Sequence, residues 1–167
     1  MADKYQSLIN GREAMVEATV VSAGAGNSGD IIALDSSGRI DISVLPVGVG
    51  PDVSSILASE SLNSGDYVNI YDNAGTPNVR KADATNDRPA HGFVRDAFSA
   101  ASNAIVYFEG PNDDRSGLTP GARYYLAAAG NITSTPPSSP TYVIHQFVGI
   151  AVNATTINTD IDDEIVL

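Results

Sequence analysis

Gly24, Gly26 and Gly29 carry the GxGxxG spacing of a loop that cradles a dinucleotide pyrophosphate. Such a loop works between a strand and a helix, because the pyrophosphate rests on the helix N-terminus. Here residues 30–34 (DIIAL) read as a strand, and Asp30 would set a negative charge beside the phosphates, so the glycines are read as a flexible linker. His91 and His145 are the only histidines, and neither lies in an HExxH or HxE motif. His145 is expected in the wall or core of a strand and His91 near a strand start. One histidine per chain around a trimer axis would still be able to hold an ion. Carboxylates cluster at Asp113-Asp114 and at Asp160, Asp162, Asp163 and Glu164. Oxygen clusters of this kind can bind calcium, but EF-hand spacing is missing and solvated turns explain both. No GxSxG elbow or SxxK motif is present. Asn131-Ile132-Thr133 and Asn153-Ala154-Thr155 match the glycosylation sequon by chance, given that residues 1–10 lack an apolar signal core. A glycosidase needs two carboxylates in a cleft; aromatic residues make up only 7% of the chain, with no Trp, which argues against a deep sugar cleft. No catalytic residue, metal ligand or cofactor is therefore expected.

Composition narrows the classes further. The 167 residues suffice for one ordinary domain, or a small domain with an arm. A hydrophobic fraction of 43% supports a core, while only 17% of residues are charged and Gly, Pro, Ser, Thr, Asn and Ala take their place. Many turns and small residues fit β architecture better than a helical bundle. The net charge of −11 disfavours phosphate backbones and anionic membranes as partners. No apolar run is long enough to span a bilayer as a helix. The absence of cysteine excludes disulfides and thiolate-ligated metals.

Along the chain, residues 1–50 differ from the rest. Tyr5, Leu8 and Ile9 share a helical face, which predicts a short helix ended by Gly11. Residues 13–21 read as extended and residues 23–29 as flexible. Residues 30–34 and 39–44 are expected to pair as a hairpin across the turn Asp35-Ser36-Ser37-Gly38. Pro46 stops this pair, and residues 47–51 read as a linker. With no Phe or Trp before residue 51, this segment is expected to be an extended arm that a partner orders. From residue 53 the pattern becomes regular. Strands are expected at 54–59, 67–71, 79–82, 90–98, 104–109, 123–127, 142–152 and 164–167, separated by Gly, Pro, Asn and Asp turns. The fold class is mainly β: a small β-barrel or sandwich over 51–167, preceded by an extended arm over 1–50.

Several phrases then point to a family. They are Gly29-Asp30-Ile31-Ile32-Ala33-Leu34-Asp35 with Gly38-Arg39-Ile40-Asp41 and Leu45-Pro46; Ala58-Ser59-Glu60 with Gly65-Asp66-Tyr67-Val68-Asn69-Ile70; and Arg80-Lys81-Ala82-Asp83-Ala84. Ala90-His91-Gly92-Phe93-Val94, Val106-Tyr107-Phe108-Glu109-Gly110, Gly117-Leu118-Thr119-Pro120-Gly121 and Val148-Gly149-Ile150-Ala151 follow. In this order, over residues 29–152, they resemble bacteriophage capsid decoration (cement) proteins and related head-fibre and tail-fibre modules. The resemblance implies a non-enzymatic homotrimer on the outer capsid surface, assembled in the host cytoplasm. Its partners would be the major capsid protein and its own copies, with no nucleic acid and no membrane. The arm would grip the shell and the β domain would form the trimer and project outward. On that basis the capsid-contact candidates are Arg12, Met15, Ile31, Ile32, Leu34, Arg39, Ile40 and Leu45, and the trimer-contact candidates are Tyr124, Tyr125 and Phe147, since aromatics are enriched at interface cores. Ordinary core packing is the competing reading for each of them. A head-fibre, tail-fibre or spike component that binds host surface glycans is the alternative function, although no repeat, heptad or Gly-X-Y run supplies a shaft.

Overall fold

The computed structural model describes residues 4–45, 50 and 52–167, and the chain divides into two units, Met1–Gly50 and Pro51–Leu167. In the first unit, β1 (Lys4–Ile9) and β2 (Arg12–Glu17) pair as an antiparallel hairpin. The predicted helix at residues 5–9 is therefore a strand. The deciding signal is Asn10-Gly11, whose φ values of 52° and 76° suit a two-residue turn with the twist of a β-hairpin. Two 3-10 turns follow, Gly24–Asn27 and Ile42–Val44. The second predicted hairpin is also corrected. Asp35 makes the expected turn, with its Oδ1 accepting from the backbone N–H groups of Ser37 (2.8 Å) and Arg39 (2.9 Å). The flanking segments do not pair as strands: Ile32 bridges to Thr19 instead, and residues 42–44 coil. Residues 4–45 thus turn back on themselves rather than running as one extended arm. The Pro46 stop and the linker at 47–51, Gly50 apart, fall outside the described residues.

In the second unit alternation decides the architecture. Strands β3 (Val53–Ala58), β4 (Tyr67–Asn73), β5 (Thr76–Lys81), β6 (Gly92–Val94) and β7 (Asn103–Tyr107) close into a barrel in the order β3-β5-β4-β6-β7. Only the β3–β5 pairing is parallel. Side chains of one parity (Ile56, Val68, Val79, Val94, Ala104 and Val106) fill the interior. Those of the other parity point outward, where Tyr67, Phe93 and Tyr107 form an aromatic ladder across β4, β6 and β7, with centroids 6.1 and 5.6 Å apart.

A second sheet provides partners for that ladder. Strands β8 (Gly110–Asn112), β9 (Arg123–Leu126), β10 (Ile132–Thr133), β12 (Phe147–Ala151) and β13 (Ile157–Thr159) are ordered β10-β9-β12-β13-β8, all antiparallel. Its Tyr124, Leu126, Val148, Ala151 and Ile157 share one core with Tyr67 and Phe93. β11 (Ile144–His145) pairs separately with β14 (Ile165–Val166). The expected strand over 142–152 is thus two strands that break at Gln146. The expected strand over 90–98 shrinks to β6, while β8, β10 and β13 are additional short strands.

Gln146 shows why the break exists. Its buried amide accepts from the Ala90 N–H (2.7 Å) and donates to the carbonyls of Ala90 and Asp162 (3.0 Å each). One side chain thereby serves three backbone groups at the edges of barrel and sheet. Replacing Gln146 with Leu strands these groups at about 1–3 kcal/mol for each buried group left unpaired. Gln146→Leu is expected to lower the unfolding free energy by roughly 3 kcal/mol or more, read as a fall in the urea midpoint at unchanged slope.

Candidate interaction surface

The two units differ in what they bury. Among the described residues every buried apolar side chain belongs to the second unit, and no side chain of the first is buried. In the first unit polar groups hold the path. Asp30 Oδ2 accepts from Thr19 Oγ1 (2.7 Å) and Asn27 Nδ2 (2.9 Å), bonds that hold its carboxyl below the usual carboxylate range, Asn27 first. Asn27 Oδ1 accepts from the Ala23 N–H (2.6 Å), and Ser43 Oγ accepts from the Ser22 N–H (2.8 Å). The GxGxxG segment is a 3-10 turn around Asn27, with no helix behind it to receive a pyrophosphate.

Around this polar frame the aliphatic side chains face outward. Of the proposed capsid contacts, Met15, Ile31, Ile32, Leu34, Ile40 and Leu45 are exposed apolar groups, and Arg12 and Arg39 are exposed too. Leu8, Ile9 and Val21 are exposed as well and were not foreseen, Leu8 at 72% being the most open of the unit's described large apolar side chains. The missed signal is again Asn10-Gly11: a hairpin register places Leu8 beside Met15 on one ribbon face, where a helix pairs it with Tyr5.

The proposed trimer contacts separate onto two faces of β9 and β12. Tyr124 is 6% exposed, lies in the core and accepts through its hydroxyl from the Thr119 N–H (3.0 Å). Phe147 is 7% exposed, covered by the edge of Tyr125 and by the Arg123 guanidinium 4.2 Å from its ring centroid. These two are occupied within one chain, and only half-buried Tyr125 retains surface for a neighbour.

The second unit has open depressions. One of about 550 Å³ is lined by Asp114, Arg115, Tyr124, Asn131 and Thr133. Its arginine serves the fold, donating to the Gly130 carbonyl (2.9 Å) with its guanidinium 5.3 Å from the Tyr67 ring. Another of about 450 Å³ is lined by His91, Glu109, Gln146, Asp160, Asp162, Asp163 and Glu164. Among the described residues no three acidic, histidine or cysteine side chains are grouped to hold a metal ion. Asp113 is paired with Arg95 at 2.6 Å. His145 is half-buried against Tyr125.

His91 has a structural duty. Its Nδ1 accepts from the Ile70 N–H (3.0 Å), continuing the β4–β6 ladder one step past the end of β6. Partial burial of the ring lowers its pKa, against the opposing charge of Glu164. Protonation at Nδ1 would also displace the Ile70 N–H. Between the lowered folded value and the ordinary value of about 6.5, the unfolded chain holds a proton that the folded chain refuses. Stability contributed by His91 is thus complete above about pH 6.5 and declines as pH falls toward the folded value. The expected outcome is a urea midpoint for the native chain that drops more between about pH 7.5 and 5.5 than that of His91→Gln.

No family model and no curated protein matches the chain. Among solved structures it is similar to the head fiber gp8.5 N base of bacteriophage phi29, with 8% identity and a TM-score of 0.44 over 65% of this chain and 92% of that chain.

Proposed function

We propose that this chain is a non-enzymatic structural protein of a bacteriophage particle. It binds the outer surface of the capsid as an oligomer, bridges neighbouring major capsid subunits and so stabilises the head. The observation that carries the reading is the first unit: a folded path whose described aliphatic side chains are exposed or only partly buried, which suits a segment covered in an assembly. The ordered phrases of the sequence, which resemble decoration proteins, support the choice of assembly. The net charge of −11 also suits a protein that works by contact with protein rather than nucleic acid.

The physics of such a role is simple. A cement opposes internal pressure only where its contacts cross from one subunit to the next. Several attachment points per oligomer turn weak single contacts into avid binding. Small residues in the first unit, such as Gly24, Ala25 and Gly26, let its chain pass close over another backbone. The second unit has two apolar clusters of its own and so needs no partner to fold.

Co-sedimentation with undecorated heads tests the proposal. The full chain is expected to saturate heads at high copy number and to raise the temperature at which they release DNA. A chain of residues 51–167 is expected to fold yet bind at least tenfold more weakly, a loss of about 1.4 kcal/mol or more. Low-copy binding confined to host cells and their glycans would replace this reading with a fibre or spike role.

A further inference from the structure

We infer, on the footing of the assembling protein proposed above, that copies of this chain cover one another's first units, each β1–β2 ribbon standing between two neighbours in a closed ring. The register sorts the ribbon into two faces. Leu8 and Met15 lie on one, 72% and 65% exposed, while Ile9, 49% exposed, shares the other with half-buried Tyr5 and Val16. A flat shell covers one face of a ribbon and leaves the other wet. A head-to-tail ring of copies covers both, because such a contact presents different patches to the two neighbours and forms a ring where the rotation between copies closes.

Charge selects the same arrangement. The ribbon carries Lys4, Arg12, Glu13 and Glu17, so it is neutral in a chain of net charge −11. Lys4, Glu13 and Glu17 share the face of Leu8 and Met15, whereas Arg12 lies on the face of Ile9. One face is therefore net negative and the other net positive. Identical faces repel, and unlike faces of neighbouring copies attract. An isolated two-stranded hairpin is at best marginal in water, so a partner present in every copy is what such a ribbon needs.

The test uses the full chain. Light scattering is expected to show an oligomer for the native protein, and Leu8→Lys and Ile9→Lys are each expected to return it to the monomer mass of 17.3 kDa. Val166→Lys, an equally exposed apolar site in the second unit, is expected to leave the oligomer intact. An unchanged near-UV tyrosine signal verifies that the second unit is folded in each variant. Because the chain has no cysteine, cross-linking has no background. Under mild oxidation Leu8→Cys with Ile9→Cys is expected to form a ladder of disulfide-linked species, and either single variant none. A monomeric native chain overturns the inference, as does an oligomer that survives both lysine variants or a disulfide dimer from Leu8→Cys alone. If the native chain is monomeric and still coats heads, the ring falls and the capsid role stands. If the lysine variants dissociate an oligomer that never binds heads, the ring stands and the capsid role falls.

Discussion

Tyr67 is fully buried where the two layers of the second unit meet, and the arrangement of that unit follows from its surroundings. Its ring leans on Phe93, its hydroxyl meets Thr159 Oγ1 (3.1 Å) and the Arg115 guanidinium lies over its face. Burial raises the phenol pKa well above its ordinary value, so the group stays neutral and serves as a hydrogen-bonding partner. Barrel strands of this kind have no wet face at their centre: Val68 points into the barrel while Tyr67 points into the shared core. Burial on both faces leaves little tolerance in backbone spacing. At Gly92 a Cβ would stand 2.6 Å from the Tyr107 carbonyl oxygen, so the ladder strands approach this closely only because that side chain is missing.

The first unit obeys the opposite constraint. Fixing a backbone residue costs about 1–2 kcal/mol, and an intramolecular hydrogen bond returns roughly 0.5–1.5 kcal/mol net. The bonds around Asp30, Asn27 and Asp35 are mostly exposed, and among the described residues of the unit no apolar side chain is more than partly buried. In the proposed role this suits the first unit, because its ordering would be coupled to the contact it makes.

Much of the second unit was legible in its pattern. The alternation of Tyr67, Asn69 and Tyr71 with Val68 and Ile70 marks β4, and turn residues mark most of the gaps. Strand lengths were less legible. Residues 90–98 and 142–152 look continuous because they are apolar, yet buried loops are apolar too: Ala90 and Gln146 meet outside any strand. The three-residue β8 and β13 and the two-residue β10 lie below the length at which a periodicity can be recognised. In the first unit, Tyr5, Leu8 and Ile9 satisfied a helical spacing by coincidence, and Asn10-Gly11 was the better witness. Met15, Ile31, Ile32, Leu34, Ile40 and Leu45, picked from the sequence as contact candidates, are exposed. Leu8 and Ile9 were hidden by the helix reading.

The amino-acid sequence by itself determined local preference: which positions turn, which alternate, where glycine and proline interrupt, and that a chain without cysteine and with a charge of −11 must be held together by packing and hydrogen bonds. These depend on neighbours within a few residues. Only the tertiary structure decided which parity of each strand faces the barrel interior and which faces the second sheet, because both faces are apolar and local pattern cannot rank two cores. It also assigned Tyr124 and Phe147 to packing within the chain and left Leu8, Ile9 and Met15 uncovered. Whether an apolar side chain is core or contact surface depends on what lies across from it, which is settled by residues distant in sequence.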